Sequence, residues 1–120
     1  MVNKFSIKNS LVVKLALVFL MCGFAFNGYA AKDSELQEIE ELIEKEEFRT
    51  ATISLKNILQ KEPRNAQARA LLGRTYLMAG QPLAAEKELN RAKEYGASNA
   101  LWVESLAEVY VLLGRFKDIL

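Results

Sequence analysis

The pattern of small and large apolar residues repeats along roughly the last ninety residues of the chain. In the middle of this region, one predicted helical face and the turn after it carry Leu72, Gly73, Tyr76 and Gly80. A shift of 34 positions gives the same order in Leu106, Ala107, Tyr110 and Gly114. This spacing predicts a helix, a turn and a second helix in every period. We therefore expect an all-α fold built from helical hairpins.

Several residues of this pattern have a specific role in the predicted packing. Gly73 has almost no side chain, so the second helix of its hairpin can approach closely there, and Ala85 and Ala92 supply the matching flat surface. Gly80 provides the positive φ that the turn at the helix end requires. Pro82 suits the first turn of the next helix, where its missing N–H costs nothing. An ordinary helical bundle has no need of small residues at a fixed interval.

The first segment of the repeat region departs from this pattern. Ile39 occupies the position of Gly73, and Glu46 stands where the turn glycine is expected. Eight acidic residues lie between Asp33 and Glu47. A terminal repeat is often atypical because one of its faces meets water. We interpret this segment as an N-terminal cap whose charge serves solvation rather than binding.

With their equivalents one period later, Gly73 and Tyr76 resemble the signature of the tetratricopeptide repeat (TPR). The resemblance implies helix–turn–helix repeats that stack into a short right-handed superhelical solenoid. It divides the chain into an atypical cap at residues 31–65, a repeat at 66–99 and a truncated repeat at 100–120. Because such stacks generally need about three repeats and a polar terminal cap, we expect the chain to be the N-terminal part of a longer protein.

Residues 1–30 have the organisation of a secretory signal peptide. The segment begins with three lysines, Lys4, Lys8 and Lys14, and contains no acidic residue. A run of twelve apolar or small residues follows, Leu15 to Phe26, and small residues come after it at Gly28 and Ala30. Twelve helical residues span only about 18 Å, whereas a membrane-spanning helix needs about 20 residues. We expect cleavage near Ala30 and a periplasmic or secreted protein, with a retained membrane anchor as the alternative.

The single cysteine, Cys22, lies within this apolar run and leaves another alternative open. Bacterial lipoproteins carry a cysteine after a small residue at the end of the apolar region. Here Met21 precedes Cys22, and the apolar run continues beyond it. A thiol that merely fills the apolar region is the simpler interpretation, whereas lipidation at Cys22 would tether the protein to a membrane surface.

Composition excludes several classes of function for the rest of the chain. Without the three N-terminal lysines, 13 basic and 15 acidic side chains remain, and this net charge of −2 gives no basic surface for nucleic acid. The sequence has no histidine, no cysteine other than Cys22 and no glycine-rich phosphate loop. We therefore expect no catalytic residues, no metal site and no cofactor, and the protein is not predicted to be an enzyme.

The predicted binding residues lie on the first helix of each hairpin, because the resemblance implies that these helices line the concave side of the stack. In the middle repeat, the family's groove positions correspond to Gln67, Ala70, Arg74, Leu77 and Met78. In the last repeat they correspond to Leu101, Glu104, Glu108, Val111 and Leu112. This mixed, partly apolar groove suits an extended or helical peptide. Glu40, Arg74 and Glu108 argue against the TPR subtype that grips a C-terminal carboxylate with converging Lys, Asn and Arg.

The segment Phe48–Ser98 is also similar to the opening repeats of the large periplasmic TPR proteins of PEP-CTERM/exosortase systems. The shared features are a signal, an acidic first helix, the LKN-LQK-P-N segment and the LG-x-x-Y-L…AEKEL segment. This resemblance implies a protein-interaction module or scaffold in the cell envelope, linked to protein sorting and extracellular polysaccharide export. The alternative is a structural fragment that self-associates through its unfinished C-terminal face and has no binding function of its own.

Overall fold

The structure, a computed structural model, describes residues 33–119 of the chain. It contains five α-helices: α1, described from residue 33 to residue 44, α2 (Phe48–Lys61), α3 (Ala66–Met78), α4 (Pro82–Glu94) and α5 (Asn99–Leu112). A short 3₁₀ helix, Phe116–Asp118, follows α5. The prediction of an all-α fold built from helical hairpins is confirmed.

The predicted signal peptide and the lipidation alternative at Cys22 fall on residues 1–30, which lie outside the described residues. Among the helices that the structure describes, none is long and apolar enough to cross a membrane. From Leu36 onward, the described residues form one compact unit.

The first helix of each hairpin ends in the same turn. At the end of α3, the N–H of Gly80 donates to the carbonyl of Leu77 at 3.0 Å. Gly80 and Gly114 have φ values of 75° and 68°, so the predicted positive φ is confirmed at both positions. Glu46 takes the equivalent place after α1 with a φ of 60°, and its N–H donates to the carbonyl of Ile43 at 3.0 Å. The turn therefore forms at Glu46 although a side chain disfavours this left-handed conformation.

Helices α3 and α4 begin at residues that favour a helix start. Asn65 precedes α3, and its side-chain oxygen accepts a hydrogen bond from the N–H of Ala68 at 3.0 Å, which satisfies a backbone donor that the helix leaves unpaired. Pro82 occupies the first turn of α4, as expected. Because α2 begins at Phe48 and α4 at Pro82, the second helices of the first two hairpins are one 34-residue period apart.

The core consists of two clusters of buried side chains linked by one aromatic residue. The first joins α1, α2 and α3 through Leu36, Ile39, Ile43, Ala51, Leu55, Ile58, Leu59, Ala68, Leu71 and Leu72. The second joins α3, α4 and α5 through Leu77, Ala85, Leu89, Leu106 and Val109. The half-buried Tyr76 packs against both clusters. Tyr76 therefore connects the hairpin of α1 and α2 to the hairpin of α3 and α4.

Helix α1 combines a buried apolar face with a hydrated acidic face. Ile39, at the position of Gly73 in the next repeat, belongs to the first cluster and is only 2% exposed. Seven of the eight acidic side chains between Asp33 and Glu47 are exposed, and Glu40 alone is half-buried. The bulky residue in the first hairpin thus fills the core rather than permitting a close approach of α2.

Helices α3 and α4 pack closely at Gly73. A Cβ atom placed on Gly73 would lie 2.6 Å from Cγ of Leu89 and 3.2 Å from its backbone nitrogen. Because carbon atoms do not approach each other to that distance, only glycine fits at the present separation of the two helices. The predicted close contact is confirmed. The residue of α4 that covers Gly73 is Leu89. The predicted Ala85 and Ala92 are fully buried and lie one turn to either side of Leu89 in α4.

A buried ion pair joins the same two helices one turn away. Arg69 donates from Nη1 to Oε2 of Glu88 at 2.6 Å and from Nη2 to the carbonyl of Pro63 at 2.9 Å. Arg91 lies 3.4 Å from the other carboxylate oxygen of Glu88. Only 13% of the Arg69 side chain and 10% of the Glu88 side chain are exposed. Both charges are therefore largely removed from water and depend on each other.

The segment after α5 is held by Arg115. Its Nη1 donates to Oε1 of Glu86 at 2.6 Å, and its Nε donates to Oδ2 of Asp118 at 2.7 Å. These hydrogen bonds, first of all the one that Arg115 donates to Glu86, raise the pKa of Arg115 above its ordinary value. Phe116 lies one 34-residue period after Pro82, so the predicted order of helix, turn and helix in every period places the start of a second helix there. The described residues instead form a single 3₁₀ turn there.

Candidate functional site

A cleft of about 490 Å³ lies along α3 and α5. Its walls are formed by Glu40, Ala70, Leu71, Arg74, Leu77, Met78, Ala100, Leu101, Glu104, Ser105 and Glu108. All these residues belong to α1, α3 or α5, which are the first helices of the hairpins. We refer to this cleft as the α3–α5 groove.

Seven of the ten predicted binding residues line this groove: Ala70, Arg74, Leu77, Met78, Leu101, Glu104 and Glu108. The other three, Gln67, Val111 and Leu112, are exposed outside it. Val111 and Leu112 lie in the last turn of α5. Their equivalents in α3, Leu77 and Met78, face α5 across the groove, whereas no further described helix lies next to this part of α5. The structure thus brings together the central positions of α3 and α5 but not every position of the repeat.

Charged side chains at one repeat position follow the groove from hairpin to hairpin. Glu40, Arg74 and Glu108 are spaced by 34 residues, and Glu104 lies one helical turn before Glu108. Within the described part of the chain, none of the four forms a hydrogen bond or an ion pair. Three carboxylates and one guanidinium give the groove a net negative charge. These groups remain available to a ligand because no internal partner occupies them.

An apolar strip of α3 lies beside this charged row. Ala70 and Leu77 are almost fully buried and form the floor of the groove, whereas 46% of Met78 is exposed. Leu101 adds a half-buried side chain from α5. A methionine at such a place adapts its unbranched side chain to different apolar partners. The groove therefore offers apolar contact and charged groups side by side.

Four lining residues were not among the predicted ones: Glu40, Leu71, Ala100 and Ser105. Leu71 and Ser105 are equivalent positions one period apart, and each directly follows a predicted residue, Ala70 or Glu104. The 34-residue period would have identified them as a pair once either was placed. The 34-residue period also identifies Glu40, because Glu40 occupies the repeat position of Arg74.

The chemical groups that line the groove are few. Its reactive groups are carboxylates, one guanidinium and the hydroxyl of Ser105, and the sequence contains no histidine to activate that hydroxyl. Within residues 33–119, no acidic side chains are grouped so that they could hold a metal ion. The groove thus combines an apolar floor with charged side chains that have no partner among the described residues.

Helical hairpins with a 34-residue period, and a groove lined by their first helices, define a repeat protein of the TPR class. The chain matches the family model described as tetratricopeptide repeat over residues 42–109, which is more than half of its length. It therefore belongs to the tetratricopeptide repeat family. Neither the curated proteins nor the solved structures gave a match.

Proposed function

We propose that this protein is an interaction module that binds a peptide segment of another protein in the α3–α5 groove. TPR domains are generally protein–protein interaction modules and typically act as non-catalytic scaffolds. The observation that carries the proposal is the row of Arg74, Glu104 and Glu108. These side chains have no hydrogen-bond or ion-pair partner among the described residues and border an apolar floor. A few convergent polar groups on an apolar surface are the usual composition of a binding site.

The groove favours a peptide that combines basic and apolar side chains. Glu104 and Glu108 are placed to attract Lys or Arg, and Arg74 to attract one acidic side chain. An apolar side chain of the peptide would cover Ala70 and Leu77. Charge-assisted hydrogen bonds contribute about 1.5–3 kcal/mol each, so loss of one of them weakens binding by about tenfold or more.

Selection from a displayed library of random peptides tests this function without a known partner. Peptides selected on the wild-type protein should bind the Glu108→Lys variant about tenfold more weakly by fluorescence anisotropy. Glu94→Lys is the matched control, because Glu94 is exposed on α4 outside the groove and undergoes the same change in charge. Selected peptides that bind Glu108→Lys as well as the wild type would contradict the proposed role of Glu108 in the groove.

We also propose that the protein acts in the cell envelope after export. The proposal is supported by the basic start of the chain, the apolar run Leu15–Phe26 and the small residues Gly28 and Ala30. Cell fractionation and the mass of the mature protein test it, with cleavage expected after Ala30. A mature protein whose N-terminus is a lipidated Cys22, and a Cys22→Ser variant released from the membrane, would instead favour the tethered form. An uncleaved cytoplasmic product would contradict export.

A narrower role in exosortase-type protein sorting and polysaccharide export rests on the resemblance of Phe48–Ser98 alone. In cells that carry this system, deletion of the gene should reduce extracellular polysaccharide, and the wild-type gene should restore it. The Glu108→Lys variant should fail to restore it if the groove holds the relevant partner. Unchanged polysaccharide after deletion would contradict this role but would leave peptide binding intact.

A further inference from the structure

The charged position that the three hairpins share alternates in sign along the α3–α5 groove. Glu40 lies on α1, Arg74 on α3 and Glu108 on α5, and each is one 34-residue period from the next. Glu104, one helical turn before Glu108, adds a second carboxylate on α5. From α1 to α5 the groove therefore presents negative, positive and negative charge, and both intervals lie within the described residues.

Helix packing sets the distance between these charges. Leu71 and Leu72 belong to the core cluster that α3 shares with α1, and α3 also contacts α5 directly. The axes of packed helices lie about 8–10 Å apart. The charge of the groove therefore changes sign about every 8–10 Å from α1 to α3 and from α3 to α5.

This spacing matches one extended conformation of a peptide. In the polyproline II conformation, three residues make one turn and each rises about 3.1 Å, so every third side chain returns to the same side after about 9 Å. A β-strand returns a side chain to the same face after about 7 Å or about 13 Å. A β-strand would therefore fall out of step with the charges of the groove.

An α-helical ligand is too wide for the groove. Its side chains return to nearly the same side after seven residues, so it needs about 15 residues, or about 21 Å, to reach from Glu40 to Glu108. With a diameter of about 10–12 Å, such a helix occupies more than about 1,600 Å³. The groove has a volume of about 490 Å³, less than a third of that. The thinner, extended chain fits it better.

Given the peptide binding proposed for the α3–α5 groove, we propose that its ligand is an extended segment in the polyproline II conformation with a basic, an acidic and a basic residue at every third position. The basic residues pair with Glu40 and Glu108, and the acidic residue pairs with Arg74. Arginine is favoured at the α5 end, because its five N–H donors can bond to both Glu104 and Glu108. The residues between the charged ones are apolar and cover the floor of the groove.

Three labelled heptapeptides of identical composition test the order and the spacing of the charges on the full chain. The probe has arginine at position 1, glutamate at position 4 and lysine at position 7, with proline and leucine between them. One control exchanges the glutamate and the lysine, and the other places the arginine, glutamate and lysine at positions 1, 3 and 5. We expect saturable binding of the probe by fluorescence anisotropy and binding of each control about tenfold weaker or less.

The peptide results separate this inference from the proposed function. Equal binding of the probe and either control would overturn the proposed order or spacing. Peptides selected from the library that bind in the groove while the probe does not would also overturn it, but they would leave peptide binding by the groove intact. A groove that binds neither the selected peptides nor the probe would contradict both.

A charge exchange at Arg74 locates the acidic residue of the ligand. The readout is the ratio of the Kd of the probe to that of a peptide with lysine at position 4. Arg74→Glu should shift this ratio about tenfold or more in favour of the lysine peptide, because attraction and repulsion exchange at that position. Arg74 is exposed and has no partner among the described residues, so the substitution leaves the core intact.

Lys87→Glu is the matched control for this exchange. Lys87 is exposed on α4 outside the groove and undergoes the same change in charge, so it alters the general attraction of all basic peptides but should leave the Kd ratio unchanged. A ratio that shifts equally in both variants, or in neither, would overturn the pairing of Arg74 with the acidic residue.

Discussion

Replacement of Gly73 by leucine tests the close contact between α3 and α4. The first side-chain carbon alone would lie 2.6 Å from Cγ of Leu89, and leucine adds three more carbon atoms. Overpacking typically costs about 1–3 kcal/mol, and this contact lies near the upper end because the backbone nitrogen of Leu89 is only 3.2 Å away. Leucine is more favourable than glycine in a helix by about 0.8 kcal/mol. The expected net loss in the free energy of unfolding is about 2 kcal/mol.

Thermal unfolding followed by circular dichroism measures this loss. For a domain of this size, about 2 kcal/mol lowers the Tm by about 8–16 °C. Ala107→Leu is the matched control, because it places leucine at the equivalent position of α5, where Ala107 lines an open cleft. It should change stability by less than about 0.5 kcal/mol. The reasoning is refuted if Gly73→Leu melts at the wild-type temperature or if Ala107→Leu loses as much stability as Gly73→Leu.

Two further substitutions probe the turn and the buried ion pair. Glu46→Gly should raise the free energy of unfolding by about 0.5–1 kcal/mol, because relief of left-handed strain of about 1–2 kcal/mol exceeds the entropy that glycine adds to the unfolded chain. Urea denaturation measures the gain, and Gly80→Ala should lose a similar amount. Arg69→Met should cost about 3 kcal/mol by leaving Glu88 without its main partner, and adding Glu88→Met should recover most of this loss. Equal losses in the single and double variants would contradict that cause.

The hairpins could be predicted from the sequence because their determinants are local. Gly80 and Gly114 mark helix ends and Pro82 marks a helix start, and each acts through its own backbone conformation. Glu46 shows where local rules stop. The turn forms there without glycine because the burial of Ile39 and other apolar residues of α1 outweighs about 1–2 kcal/mol of backbone strain.

The ion pair of Arg69 with Glu88 could not be predicted in this way, because it depends on the register between α3 and α4. Arg69 lies one turn before Gly73, and Glu88 directly precedes Leu89. A pattern of apolar residues shows which face of each helix is buried, but it does not show which turn of α3 meets which turn of α4. Once Leu89 is known to cover Gly73, the neighbouring pair follows from helix geometry.

The groove was predictable in its centre but not at its ends. Arg74 and Glu108 occupy the same repeat position, and both line the groove. Met78 and Leu112 also share a repeat position, yet only Met78 lines the groove. The reason is that α5 lies next to α3 and forms the other wall of the groove, whereas no further described helix lies next to α5 in the same way. The environment of a repeat position depends on the next helix of the stack as well as on the residue itself.

The position of Tyr76 between the two core clusters has a consequence for cooperativity. Repeat stacks have contacts mainly between neighbours, so their unfolding in one step depends on the contacts that adjacent hairpins share. Tyr76 supplies such a contact from α3, the helix that also carries Arg74 and Leu77 of the groove. A peptide that binds α3 would therefore also stabilise α2, which contributes no residue to the groove, because the free energy of binding is shared by every helix that unfolds together with α3.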